Sequence, residues 1–106
     1  MLFRSALAHI DETDAAVKAW VWLDREGALA HAKELDQIRS SGRTIGQLHG
    51  VPVGLKDIID TGDMPTECGS QAFAGRQPNA DALLVSRLRA AGAIILGKTE
   101  IGRAHV

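Results

Sequence analysis

Cysteine is almost absent from this sequence, since Cys68 is the only one among 106 residues. A single cysteine cannot form an internal disulfide, and no second cysteine or closely spaced histidine accompanies it as a zinc site would require. The sequence therefore excludes a disulfide framework and predicts neither a metal ion nor a cofactor. A reducing cytoplasm is the expected location.

Aromatic residues and surplus positive charge are also scarce. Two Trp, two Phe and no Tyr offer little surface on which nucleotide bases could stack. Twelve Lys and Arg against thirteen Asp and Glu leave no basic surplus, so we expect neither a nucleic-acid partner nor a membrane partner. Polar residues interrupt the apolar positions of residues 1–10, so this segment predicts neither a signal peptide nor a membrane span. A small molecule is the expected partner, and the oligomeric state stays open.

The first half of the chain predicts a helix, a strand and a second helix. Helical spacing of apolar residues runs from Leu2 to about Ile10, and the short aromatic run 19–23 suits a strand. Asp24 is placed to cap the next helix, because its carboxylate can accept N–H groups of the first turn. Residues 39–50 contain three glycines and two serines and predict a loop. The apolar stripe of the second helix is formed by Ala28, Ala32, Leu35 and Ile38.

The second half predicts a strand, a crossover helix and a strand, and hence an α/β fold. The first strand covers residues 51–55, and residues 61–78, with three glycines and two prolines, should be mostly irregular. A helix is expected from Asn79 or Asp81 to about residue 91, ended by Gly92. The apolar run 93–96 is typical of a buried parallel strand. The helix stripe is predicted to be Leu84, Leu88 and Ala91, with Val85 beside it.

Lys56 is the candidate catalytic residue. It follows a strand on which Val51, Val53 and Leu55 face one way, so that Pro52, Gly54 and Lys56 face the other. The small residues on its own face leave room around it, and the apolar flanks favour loss of water. Desolvation lowers the pKa of a lysine from about 10.4 toward neutrality and so produces an amine that can accept a proton. The alternative is a surface cation whose stem lies on apolar groups, with Asp57 and Asp60 as rim partners.

Residues 92–99 match the phosphate-loop pattern of Gly, four residues and Gly-Lys-Thr. That pattern binds phosphate only when a strand precedes the first glycine and the four variable residues form a loop. Here a predicted helix precedes Gly92, and the four variable residues are themselves the predicted strand. We therefore interpret the match as accidental and place Lys98 at the end of a strand.

The histidines and Cys68 carry weaker signals. His9, His31, His49 and His105 are scattered and lack the spacing of metal ligands. Solvated or hydrogen-bonding roles are therefore expected for them. Cys68 lies between Glu67 and a glycine, with no adjacent base that would activate it, so a small filler residue is the first interpretation and a nucleophile the alternative.

The residues around Lys56 resemble the first catalytic element of the amidase signature family. The resemblance is carried by Leu-His-Gly-Val-Pro-Val-Gly-Leu-Lys-Asp at 48–57, by Thr66 with Gly69-Ser70, by Asp81, by Leu-Arg-Ala-Ala-Gly-Ala at 88–93, and by Ile-Leu-Gly-Lys-Thr at 95–99. The order and spacing match from about Phe3 to Thr99, which is nearly the whole chain. The resemblance implies the N-terminal portion of the amidase signature fold, a mixed sheet covered by helices.

The resemblance also implies a Ser–cis-Ser–Lys mechanism for the parent protein. In it Lys56 deprotonates a bridging serine, which activates a nucleophilic serine that attacks the amide carbonyl. Both serines are expected in a Gly/Ser-rich loop after residue 106, because neither Ser70 nor Ser86 lies in such a context. We therefore expect residues 1–99 to be an incomplete amidase domain that is inactive by itself.

The final residues depart from the family pattern. One choice of codons for residues 101–106 reads ATC GGA AGA GCA CAC GTC, which resembles a common sequencing-library adapter, and a GAG codon for Glu100 supplies its preceding bases. We hypothesise that residues 100–106 are a non-native tail. A natural divergent tail is the alternative.

Two other functions stay open. Within the same class, the parent could be the glutamine-hydrolysing A subunit of a tRNA-dependent amidotransferase, which shares these motifs. From another class, the chain could be a self-contained α/β binding domain in which Lys56 is only a surface cation.

Overall fold

A computed structural model describes residues 2–68 and 70–100 of the chain. Three helices and three strands alternate along these described residues, and a short 3-10 helix, Gln71–Phe73, lies in the long connection after the second strand. Residues 101–106 of the hypothesised tail 100–106 lie outside the described residues. The elements in chain order are α1 Leu2–Val17, β1 Trp20–Leu23, α2 Arg25–Ser40, β2 Pro52–Lys56, α3 Leu83–Ala90 and β3 Ile94–Thr99.

The three strands form one mixed sheet in the order β1-β3-β2. Strand β3 pairs antiparallel with β1 and parallel with β2, and α3 is the crossover between the two parallel strands. The α/β class and the strand–helix–strand unit are therefore confirmed. The parallel register sets Leu55 beside Lys98 and Lys56 beside Thr99.

Side chains of β3 enter two different apolar clusters, because successive residues of a strand point to opposite faces. Ile94 and Leu96 pack with buried residues of α1 and α2 on one face. Ile95 packs with Leu55, Met64 and Val85 on the other. The central strand is almost wholly buried as a result, as the sequence predicted for residues 93–96.

Helix α1 is longer than predicted, since it continues from Ile10 to Val17. Asp11, Glu12 and Asp14, which follow the apolar residues that predicted the helix, lie inside it. Asp14 in the last turn fixes the exit of the helix, because its Oδ1 accepts N–H bonds from Ala19 and Trp20. Lys18 follows with a left-handed φ of 55° and ends the helix.

Helix α2 begins as the sequence predicted. The Asp24 carboxylate accepts a hydrogen bond from the Gly27 N–H at 3.1 Å, which is the geometry of a helix N-cap. Ala28, Ala32 and Leu35 form its buried face. The capping residue and the apolar stripe could both be predicted from the sequence, because each depends only on residues a few positions apart.

Helix α3 differs from the prediction in its start and in its buried face. It begins at Leu83, and Asp81 does not cap it, because that carboxylate accepts the Gly62 N–H and pairs with Arg89. Val85 is fully buried, whereas Leu84 is 52% exposed. Gly92, with a φ of 95°, follows the helix as predicted.

Candidate active site

Lys56 is the last residue of β2, and its side chain is exposed. Within the described part of the chain, its ammonium group has no hydrogen-bond or ion-pair partner. The desolvation that the flanking residues led us to expect is therefore not found in this part of the protein. The space beside Gly54 is occupied as well, because a Cβ atom there would lie 2.6 Å from Cη2 of Trp20.

The backbone at Lys56 and Asp57 is held from several sides. The Lys56 carbonyl accepts the Ile59 N–H at 3.0 Å, which closes a tight turn directly after the strand. The Asp57 N–H donates to the Thr99 carbonyl at 2.8 Å, and the Asp57 carbonyl accepts the Cys68 N–H at 2.8 Å. The main chain that carries Lys56 is thus fixed, although its side chain makes no polar contact with the described residues.

The Asp57 carboxyl group is buried beside this turn, with 3% of the residue exposed. Burial raises the pKa of Asp57, because a charged carboxylate loses its hydration there. The Glu67 N–H, which donates to Oδ1 at 3.2 Å, and the positive charge of Lys98 act in the opposite direction. The carboxyl group next to Lys56 therefore belongs to the protein interior, and the expectation that it pairs with Lys56 at the rim is wrong.

Lys98 is the buried lysine of the structure, with no exposed surface. Its Nζ donates to the Ile59 carbonyl at 3.0 Å, the Pro65 carbonyl at 3.2 Å and the Thr66 hydroxyl at 2.6 Å. Burial lowers the pKa of Lys98, while the carboxylates of Asp57, Asp60 and Asp63 oppose that effect. All three ammonium protons are engaged, so these bonds specifically require the protonated form.

The segment 59–66 is also fastened from its outer side. Arg76 pairs with Asp60, and the Arg76 carbonyl accepts the Thr66 N–H at 2.9 Å. The bond from Arg76 lowers the pKa of Asp60. Arg89 pairs with both Asp63 and Asp81, which ties the same segment to α3. The loop that follows Lys56 is therefore held by Arg76 and Arg89 on its solvent side and by Lys98 on its interior side.

The phosphate-loop interpretation of residues 92–99 fails on geometry, as predicted. Residues 94–99 form strand β3, whose N–H groups are used in the sheet. Gly92 packs directly on another backbone, because a Cβ there would come within 2.7 Å of the His49 Cα. Lys98 does lie near the end of a strand, but its burial was not predicted from the sequence. Its position after four apolar or small strand residues was the available signal.

The remaining candidates have ordinary roles. The Nε2 atom of His49 lies 2.9 Å from the Leu35 carbonyl oxygen and joins the loop before β2 to α2. Ser70 accepts the Ala72 N–H as the cap of the 3-10 helix, and Cys68 is partly exposed with a left-handed φ of 57°. No group of three or more metal-binding side chains occurs among the described residues, and no described helix is long and apolar enough to cross a bilayer. His105 lies outside the described part.

The mixed sheet and its covering helices define an α/β fold, and comparison with known proteins specifies its family. A sequence model of the amidase family matches residues 2–104, so the chain belongs to the amidase family. The A subunit of glutamyl-tRNA(Gln) amidotransferase from Streptomyces avermitilis is 47% identical over 95 residues, which are 90% of this chain and 19% of that protein.

Solved structures give the same family. Peptide amidase from Stenotrophomonas maltophilia is 43% identical, with a TM-score of 0.86 over 94% of this chain and 21% of that one. An amidase family protein from Bacillus anthracis is 31% identical, with a TM-score of 0.81 over 90% of this chain and 19% of that one. The chain thus has the amidase signature fold and spans about a fifth of the length of the relatives that it matches.

Proposed function

We propose that this chain is the lysine-bearing segment of an amide hydrolase and that Lys56 is its general base. One contrast carries the proposal. Lys98 donates all three of its ammonium protons to acceptors in the interior, whereas the ammonium of Lys56, on a backbone that is also fixed, has no partner among the described residues. A base must be able to lose a proton without breaking a hydrogen bond that requires it. Of the two lysines at this edge of the sheet, only Lys56 meets that condition.

The reaction follows from the family resemblance. The neutral amine of Lys56 accepts the hydroxyl proton of a bridging serine, which in turn accepts a proton from the nucleophilic serine as its oxygen attacks the amide carbonyl. Protonation of the leaving nitrogen releases ammonia or an amine and leaves an acyl-enzyme, which water hydrolyses. Both serines are proposed to lie in the part of the enzyme that corresponds to the other four fifths of its relatives.

Relatives named as part of a transfer-RNA amidotransferase favour a second candidate. The chain is 47% identical to such a protein, which is comparable with its 43% identity to a peptide amidase. The second candidate is therefore the glutamine-hydrolysing A subunit of a tRNA-dependent amidotransferase. Release of ammonia from free glutamine by the full-length protein favours this candidate, whereas cleavage of peptide amides without glutaminase activity favours a free-standing amidase.

The first test is the genomic sequence downstream of codon 99. We expect it to encode a Gly/Ser-rich loop within about 100 residues, the size of a further domain. A genomic reading frame that stops at Val106 contradicts the proposal and favours the binding-domain alternative.

The second test uses the full-length protein from that reading frame. Lys56→Ala should reduce amide hydrolysis by about 10²- to 10⁴-fold, as expected when a general base is removed. Lys56→Arg should be as inactive, because a guanidinium group stays protonated near neutral pH. Lys33→Ala is the matched control, since Lys33 is an exposed lysine on α2. Turnover close to wild type in Lys56→Ala would show that Lys56 is a surface cation and not the general base.

A further inference from the structure

The peptide chain after Lys56 turns back toward the interior around one side chain. The turn is closed by the bond from the Ile59 N–H to the Lys56 carbonyl, and the carbonyl of the same Ile59 accepts a bond from Lys98. Ile59 thus connects the two lysines, because its N–H binds the main chain of Lys56 and its carbonyl binds the ammonium of Lys98. The segment 59–66 then returns, and its far end at Pro65 and Thr66 binds the same ammonium group.

This arrangement has an energetic consequence. Two carbonyl oxygens and a hydroxyl converge on a site with no exposed surface, where acceptors without a donor cost free energy. The ammonium satisfies all three at once, whereas an apolar side chain of the same length would satisfy none. Since Thr61 and Met64 in the same segment are also buried, the segment has little freedom to turn its carbonyl groups outward to water.

We propose that Lys98 is a positioning residue for Lys56, an inference that rests on the proposed function of Lys56 as the base. Its ammonium fixes both ends of the segment 59–66 and thereby the turn that sets the direction of the Lys56 side chain. Lys98 exchanges no proton in the reaction and touches no substrate. Its contribution is to the geometry from which Lys56 acts.

The test is Lys98→Met in the full-length protein, with amide hydrolysis measured per active site after titration with a serine-directed reagent. The methionine fills most of the volume of the lysine side chain but is one atom shorter, and it removes the ammonium group and its charge. We expect kcat to fall by about 10- to 100-fold, the range that follows when reacting groups are slightly misplaced, with KM nearly unchanged. Lys33→Met makes the same chemical change at an exposed position and should leave kcat unchanged. An unaltered kcat per titrated site in Lys98→Met overturns the inference.

A second variant keeps the inference testable if Lys98→Met does not fold. Thr66→Val removes one of the three acceptors and preserves the shape of the side chain. We expect a decrease of kcat with KM again unchanged. Where Lys98→Met folds, this decrease should be smaller than in Lys98→Met, and adding Thr66→Val to Lys98→Met should cause no further decrease, because both act through the same bond. Independent, multiplying effects in the double variant, or an unaffected Thr66→Val, contradict the proposal.

The two proposals fail differently. Full activity of Lys56→Ala would reject the role of Lys56 as the base, and the positioning role of Lys98 would fall with it. Loss of activity in Lys56→Ala together with normal kcat in both Lys98→Met and Thr66→Val leaves the proposed function intact and rejects only the role of Lys98.

Discussion

The ring of Trp20 on β1 lies against Gly54 on β2, although β3 separates the two strands in the sheet. A Cβ atom at residue 54 would lie 2.6 Å from Cη2 of Trp20 and 3.3 Å from Cγ2 of Thr99. Trp20 belongs to the cluster between the sheet and helices α1 and α2. The glycine therefore lets an aromatic ring cover the strand immediately before Lys56.

Gly54→Ala should destabilise the full-length protein by about 1–3 kcal/mol, the usual cost of inserting a methyl group into a filled site. Gly62→Ala is the control, because a Cβ there makes only an ordinary contact at 3.4 Å with Ala80. The midpoint of thermal unfolding should fall for the first variant and hardly change for the second. Trp20→Leu should lower the free energy of unfolding less in the Gly54→Ala variant than in wild type. Equal decreases in both would show that the Trp20 ring is not what the new methyl group meets.

Asp57 should make stability depend on pH. Because its folded pKa is raised above 3.8, the folded state retains a proton that the unfolded chain has already lost in the interval above 3.8. Stability therefore falls as the pH rises through this interval and stays reduced above the folded pKa.

Asp57→Asn removes this titration and keeps an oxygen for the Glu67 N–H. At pH 7 the variant should unfold at a higher temperature than wild type, and the difference should shrink as the pH is lowered toward 3.8. Thermal melts at several pH values measure this difference. A variant less stable than wild type at pH 7 would mean that attraction to Lys98 outweighs the cost of burying the carboxylate.

Arg89 should contribute more to stability than the exposed ion pair of Arg25. Arg89 bonds to two carboxylates, with distances of 3.1 Å to Asp63 and to Asp81, and its side chain is 28% exposed. Within the described part of the chain, Arg25 pairs with Asp11 alone, and its side chain is 46% exposed. Arg89→Met should cost about 1 kcal/mol, at the upper end for pairs near the surface, and Arg25→Met less than about 0.5 kcal/mol. Thermal melts at low and high salt measure the stability loss of both variants, and the loss caused by Arg89→Met should be smaller in high salt.

The purified 106-residue chain should self-associate and hydrolyse no amide. In the described sheet, β1 and β2 each pair with β3 alone, and β1 exposes Val21 and Trp22. Open strand edges with apolar side chains favour association between molecules. Light scattering and calorimetry check this, and Val21→Lys should increase the monomer fraction. A monomeric wild-type chain with a sharp two-state transition is the contrary result.

The sequence by itself determined the local features. The Asp24 cap, the stripe of α2, the glycine that follows α3 and the apolar run of β3 are patterns of neighbouring residues, and each was predicted correctly. The glycine-lysine pattern at 92–99 was also rejected correctly, because a helix and a strand cannot supply a loop of free N–H groups. The motif around Lys56 was likewise sufficient to indicate the amidase family, which the comparisons confirm.

The tertiary structure decided how the lysines and carboxylates differ. Lys56 and Lys98 both follow a run of apolar or small strand residues, and that run alone does not show which of the two is buried. Lys98 is buried because segment 59–66, more than thirty residues earlier in the chain, folds over it and supplies its acceptors. Asp57 is buried because residues 67 and 68 return to bind it. Caps and stripes depend on residues that are adjacent in sequence, so they could be predicted from the sequence. Burial and pairing of a charge depend on contacts between residues that are distant in sequence, so only the tertiary structure shows them.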